Sequence, residues 1–155
     1  MKINKFINII LLIIWMVIIF MFSNQNAKTS QATSDKVASD IVNTVEIVTG
    51  KDISTNDKKT FIDDTRFIIR KMAHFTLYLI LGVLAYLVFS NYNISKPIIY
   101  SVIFCLLYAC SDEIHQMFLD GRTAKIMDVF IDTCGSIIGN TICLMIKRFI
   151  NSRIR

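Results

Sequence analysis

The chain has 155 residues, of which 54% are hydrophobic and only one is proline, and its 17 Lys and Arg outnumber 12 Asp and Glu for a net charge of +5. That length holds one compact domain and no more, and a mean hydropathy of +0.52 is out of range for an ordinary soluble one. Joined to such apolarity, the positive charge points to membrane topology and anionic lipid rather than to nucleic acid.

The apolar residues come in blocks. Phe6 to Phe22 is a run of 17 residues without a charge, close to the roughly 20 helical residues that cross a hydrocarbon core of about 30 Å. A buried helix of a soluble bundle would carry a polar stripe, and this block has none. Lys2 and Lys5 precede it, as in a signal peptide, and Ser30-Gln31-Ala32 loosely resembles a cleavage site. The block is longer than the usual apolar core of such a peptide, about 7–15 residues, so a retained anchor is the better reading.

The next stretch, about 27–70, is polar yet patterned. Val37, Ile41, Val45 and Val48 recur at helical spacing among Asp, Lys, Ser and Thr, which predicts an amphipathic helix lying on the outer membrane face or capping the bundle. Gly50 is a stop for it, and Ser54 with Asp57 three residues on is a capping pair that starts a second helix. No proline or glycine interrupts Ser54 to Leu81, so that helix is expected to continue into the second apolar block, about 73–89. Two further spans are expected at about 97–116 and 126–146. The third apolar run, Pro97 to Cys110, is only 14 residues, so its helix must continue past Ser111 to cross.

Topology follows from charge. With the N-terminus inside, the segments 1–5, 90–96 and 147–155 hold seven basic residues and no acid, against ten basic and ten acidic residues over 65 positions in 23–72 and 111–125. Both termini are therefore expected in the cytoplasm. The expected fold is an all-α membrane protein, a single domain over 1–155 with four transmembrane helices and an outer amphipathic segment between the first two. Cys105, Cys110, Cys134 and Cys143 all fall in spans without a C-x-x-C pair and read as packed thiols, not as disulfides or zinc ligands.

The polar residues inside the spans carry the functional signal. Arg70, His74 and Tyr78 are spaced i, i+4, i+8; Tyr108, Ser111, Asp112 and His115 form another stripe, flanked by Glu113 and Gln116; and Lys125, Asp128, Asp132, Gly135 and Gly139 share a third face. All three groups fall at the same, outer, end of their helices. Arg70, Lys71, Arg122 and Lys125 balance Asp112, Glu113, Asp128 and Asp132, so the charges are expected to face inward and pair. Asp128 and Asp132 read as partners of Arg70 and Arg122 in preference to metal ligands. Gly121-Arg122 reads as a turn aiming the arginine at the site, and Gly135-x-x-x-Gly139 as close helix packing. A purely structural ion-pair network is the bland alternative. Ionisable residues at membrane depth are by default functional.

These residues resemble the VanZ family of small membrane proteins. The resemblance runs through Arg70-Lys71-x-Ala73-His74-Phe75-x-x-Tyr78, then Ser111-Asp112-Glu113-x-His115-Gln116-x-Phe118-x-x-Gly121-Arg122, then Asp128-x-x-x-Asp132-x-x-Gly135, with Trp15 and Phe22-Ser23 in the first span. It implies a bacterial cell-membrane protein, and the family name comes from a protein conferring low-level resistance to the glycopeptide teicoplanin. It implies no settled mechanism.

Three functions are compatible with the sequence. One is an outer-leaflet site for a membrane lipid or lipid-linked cell-wall precursor, with Arg70, Lys71, Arg122 and Lys125 on its phosphate and Tyr78, Tyr108, Ser111, Gln116, Asp128 and Asp132 around it. The second is an enzyme at the same place, an acid/base or metal-assisted hydrolase or transferase acting on an envelope lipid, with His115 as general base, oriented by Asp112 or Asp132, and His74 and Glu113 assisting. The third is a structural or partner-binding bundle. No cofactor motif, P-loop or zinc signature is present, no nucleic acid is expected, and the oligomeric state is open.

Overall fold

A computed structural model describes residues 2–25 and 27–153; of the basic residues used above for topology, Arg155 lies outside them. Five helices make up the described residues: α1 (Lys2–Ser23), α2 (Ala27–Thr49), α3 (Thr55–Asn91), α4 (Pro97–Gln116) and α5 (Ile126–Arg153). Four of these are long and apolar enough to cross a membrane: Lys5–Ser23 of α1, and α3, α4 and α5 over their full lengths. Their outward faces are those of a membrane protein. Phe6, Val17, Phe20, Leu107, Phe130 and Met145 lie exposed. The buried core is small, with Ile19, Tyr78, Leu81, Ala85, Cys105 and Ala109 at its centre. All four cysteines are free thiols.

Local chemistry sets the boundaries. Gly50 ends α2 with φ 65°, and its N–H donates to the Glu46 carbonyl at 2.8 Å, the left-handed cap that favours glycine. Ser54 caps α3, its Oγ accepting from the Asp57 N–H at 3.3 Å and donating to the Asp57 carboxylate at 2.8 Å. Pro97 opens α4 at a position where its missing N–H costs nothing.

The core of the bundle is the crossing of α3 and α5, and glycine makes it close. A Cβ at Gly135 would stand 2.5 Å from the Phe75 carbonyl oxygen; one at Gly139 would strike the Leu79 carbonyl, and one at Gly82 the Ser136 backbone. Small residues thus let the two backbones touch, as expected where helices pack in lipid without a hydrophobic driving force. The first helix is tied in by polar bonds. Trp15 Nε1 donates to the Leu77 carbonyl at 2.9 Å, and the Tyr108 hydroxyl donates to the Met16 carbonyl at 2.7 Å.

The segment between the first two spans is helical, and of the two placements expected for the Val37, Ile41, Val45 and Val48 stripe, the membrane face or a cap on the bundle, it does not take the second: all four side chains are exposed. The helix packs instead along the first half of α3 through Ser30, Ser34, Ala38 and Val42. Small side chains permit the closer approach, and the valine stripe is turned about a sixth of the way round. The resulting antiparallel hairpin is pinned by Arg66 on Asp35, at 2.5 and 3.1 Å, and by Lys58 on Glu46 at 2.7 Å. Glu46 also accepts from the Ile53 N–H, and these bonds hold its carboxyl below the usual carboxylate range.

Candidate functional site

One end of the bundle gathers the end of α1, the start of α2, the middle of α3, the end of α4 and the start of α5. The α4–α5 connection folds tightly there: Arg122 N–H donates to the Leu119 carbonyl at 3.1 Å, and Gly121 turns with φ 72°. Its contact with α2 is direct, since Ala27 N–H donates to the Asp120 carbonyl at 3.3 Å.

Between these elements lies a polar cavity of about 310 Å³ whose wall includes Arg66, Arg70, Arg122 and Lys125, with Gln116 and Asp128. Arg66 is engaged by Asp35 and Asp63. The other cations are not matched by acids. Arg70 and the Lys125 ammonium make no hydrogen bond or ion pair among the described residues. Arg122 donates from Nη1 to the Gln116 carbonyl at 3.0 Å, while its Nε is buried without a partner. Burial, and then the neighbouring Arg70 charge, lower the Arg122 pKa. Two guanidiniums facing one space without a directly bonded acid among the described residues make a site for an anion.

Arg70 and Arg122 also line a second, mostly apolar cleft of about 150 Å³, bordered by Phe22, Ile69, Ala73, His74 and Leu77. Phe22 and Gln25 carry that cleft on to a further apolar hollow against Ile18 and Met21 of α1. Through these shared residues the basic cavity neighbours the cleft and the cleft neighbours the hollow, an apolar lane beside the outer surface of the first helix.

Deeper in the bundle, His74, Asp112 and Asp132 meet from three helices. One ligand-type atom from each lies within 4.8 Å of the others. Asp132 is 1% exposed and Asp112 4%. His74 Nδ1 is 3.8 Å from Asp132 Oδ2, too long for a hydrogen bond. His74 Nδ1, Asp112 Oδ1, both Asp132 oxygens and the Tyr78 hydroxyl are all buried without partners.

The anticipated pairing of charges is mostly not realised. Asp128 pairs with Lys71, not with Arg70, because both sit one turn above the His74–Asp132 level. Asp132 faces His74, not Arg122. Glu113 is used by the backbone: its Oε2 accepts from the Lys125 N–H at 2.8 Å, at the start of α5, where a carboxylate suits the exposed N–H groups and dipole of a helix.

The stripe expected on the third span is also turned. The buried face of α4 is Ser101, Cys105, Ala109, Asp112, Glu113 and Gln116. Ser111 is exposed and donates only to the Tyr108 carbonyl. Tyr108 serves α1, and His115 likewise faces α1: its Nε2 is 3.1 Å from Asn24 Oδ1, and its ring lies 4.8 Å from that of Phe20. Neither Asp112 nor Asp132 orients His115, so the acid–base pair anticipated from the sequence does not form. Gln116, expected to flank the stripe and to lie around the ligand, instead joins the parts of the site. Its amide nitrogen donates to Ser23 Oγ at 2.6 Å and to Asp112 Oδ2 at 3.3 Å, while its carbonyl takes Arg122. Ser136 and Asn140 were missed; both are fully buried, and they continue the i, i+4, i+8 line from Asp132 that would have revealed them.

The family model described as VanZ/LLP1 matches residues 7–147. The chain belongs to the VanZ/LLP1 family. Every residue of the site just described lies inside the matched region, and the four long apolar helices make this family member a multi-pass membrane protein. No curated protein and no solved structure gives a significant match.

Proposed function

We propose that this VanZ/LLP1 chain binds the phosphate-bearing headgroup of a membrane lipid, with the phosphate in the cavity walled by Arg70, Arg122 and Lys125 and the tail in the apolar lane beside α1. The observation that carries it is the set of unmatched cations: among the described residues Arg70 and the Lys125 ammonium bond no acid, and Arg122 Nε is buried without a partner. An arginine fork suits a phosphate monoester or pyrophosphate, each charge-assisted bond contributing about 1.5–3 kcal/mol. The reading puts both termini in the cytoplasm and the cavity at the outer leaflet, within reach of lipid-linked wall precursors and of teicoplanin in a bacterial envelope. The excess of Lys and Arg in 1–5, 90–96 and 147–155 supports that orientation.

Binding of a polyisoprenyl phosphate to the full chain in nanodiscs tests it, with phosphatidylcholine as the comparison lipid. Preference for the phosphate monoester, weakened about 10-fold or more by Arg70→Ala or Arg122→Ala, is the expected result. Equal affinity for both lipids in the folded wild type rejects the reading. Chemistry on the bound lipid is the second reading. It is favoured by the partnerless His74, Asp112 and Asp132, and it would use His74 as the base, since His115 faces away.

A further inference from the structure

The three residues beneath the basic cavity have donor atoms and no use for them. Asp132 is buried with neither oxygen hydrogen-bonded, Asp112 keeps Oδ1 free, and His74 keeps Nδ1 free. Two buried carboxylates, one with neither oxygen bonded and the other held only by a neutral amide, are costly in a low-dielectric interior, and Lys71 is already engaged by Asp128.

We infer that His74, Asp112 and Asp132 bind one divalent transition-metal cation, with the Tyr78 hydroxyl beside it. The spacing favours an ion over a proton. At 3.8 Å, His74 and Asp132 are too far apart to share a hydrogen bond. Donors held about 2.0–2.2 Å from one ion sit roughly 3–3.5 Å from each other, so the 4.8 Å span of the three atoms needs only a modest rotation of side chains to close. The charge also matches, since two carboxylates and a neutral imidazole neutralise a dication.

A second observation points to a ligand independently. Tyr78 is 0% exposed, its hydroxyl has no partner, and it lies within electrostatic reach of Asp112 and Asp132. A water on the ion would satisfy that hydroxyl. The surroundings hold the donors in place as outer-shell groups do. Gln116 holds Asp112 by Oδ2 and leaves Oδ1 directed elsewhere. The glycine contacts of α3 and α5 fix His74 relative to Asp132. His74 also borders the cleft that Arg70 and Arg122 line. One imidazole with two carboxylates suits Zn²⁺ or Mn²⁺ better than the all-oxygen preference of Mg²⁺ or Ca²⁺.

The inference does not depend on phosphate binding, and one set of titrations separates the two. Purified full chain in nanodiscs, stripped with EDTA, is titrated with Mn²⁺ and then with Zn²⁺, followed by calorimetry and by the spin-echo modulation of Mn²⁺. About one equivalent should bind, with a modulation from a coordinated imidazole nitrogen that His74→Gln removes. His74→Gln and Asp132→Asn should each weaken binding by at least about 10-fold. Arg70→Ala, which disrupts the phosphate cavity, should leave metal affinity unchanged. If Asp132→Asn does not accumulate, the metal-induced rise in unfolding temperature decides, present in the wild type and lost in His74→Gln. A folded wild type that takes up far less than one equivalent of either ion overturns the assignment. So does a His74→Gln chain that binds as tightly as the wild type.

Discussion

Arg122 reaches from the α4–α5 turn to the buried amide of Gln116, donating from Nη1 to its carbonyl at 3.0 Å. The same amide holds Ser23 and Asp112 from its nitrogen side, so Gln116 joins the basic cavity to the buried carboxylates and to the end of the first helix.

Gln116→Leu should therefore lower both stability and anion affinity. Removing the amide leaves Ser23, Asp112 and Arg122 short of partners in a buried setting, a cost of about 1–3 kcal/mol per unsatisfied group. Thermal unfolding in detergent and polyisoprenyl phosphate binding should fall together. Gln116→Glu should keep the contact to Arg122 but place a third carboxyl by Asp112, and it should bind the phosphate more weakly than the wild type. Unchanged unfolding temperature in Gln116→Leu would show that the amide holds nothing in place.

The glycines divide by what surrounds them. Gly139→Ala puts a methyl into the Leu79 carbonyl, and the α3–α5 crossing has to open. A loss of at least about 1–3 kcal/mol is expected, measured as unfolding in mixed detergent. Gly50→Ala meets nothing within 4 Å and suffers only from its φ of 65°, so it should cost about 1–2 kcal/mol and leave the membrane half intact. The first variant should loosen the buried site and the second should not.

On α2 the two faces should respond in opposite ways. Ala38 is fully buried against α3, so Ala38→Leu should separate the hairpin, with faster amide exchange from Val42 to Glu46 and a loss of about 1–3 kcal/mol. Ile41 is 41% exposed, and Ile41→Ser should leave that exchange unchanged in detergent, within about 0.5 kcal/mol. Equal effects would mean that the valine stripe is packed after all.

Orientation is open to labelling. In the cysteine-free background, a single cysteine at Asn56, beside the start of α3, should react with an impermeant maleimide added to intact cells. One at Asn151, near the end of α5, should react only after permeabilisation. Labelling at Asn151 in sealed cells would reverse the orientation.

Much of the fold was legible in the sequence because its signals are local. The uncharged run from Phe6, the Ser54–Asp57 capping pair, Pro97 at a helix start and the Gly135–Gly139 spacing each act through neighbouring atoms. Rotational phase was harder to read. In α4 both faces are apolar enough for lipid, so Tyr108 and His115, which serve α1, were not separable from Asp112, which faces inward. In α2 the apolar stripe drew attention as it would in a soluble protein, yet the contact is made by Ser30, Ser34 and Ala38. Small residues mark the packed face in both the α2–α3 and the α3–α5 contacts. The pairing of charges was equally hidden, since composition balances Arg70 against an acid that geometry gives to Lys71.

The third helix has no break between its exposed start and its buried end, and Gly82 is one of its close backbone contacts with α5. Its 37 residues make a rod of about 55 Å. Measured from Gly82, Thr55 is about 40 Å away, Arg70 about 18 Å and Tyr78 about 6 Å. A sideways push of about 4 Å at the hairpin tip would then displace Arg70 by about 2 Å and Tyr78 by about 0.6 Å. The hairpin is a lever with its fulcrum at the glycine crossing. Leverage at its tip would spread the arginine clamp while leaving the donors below it nearly still.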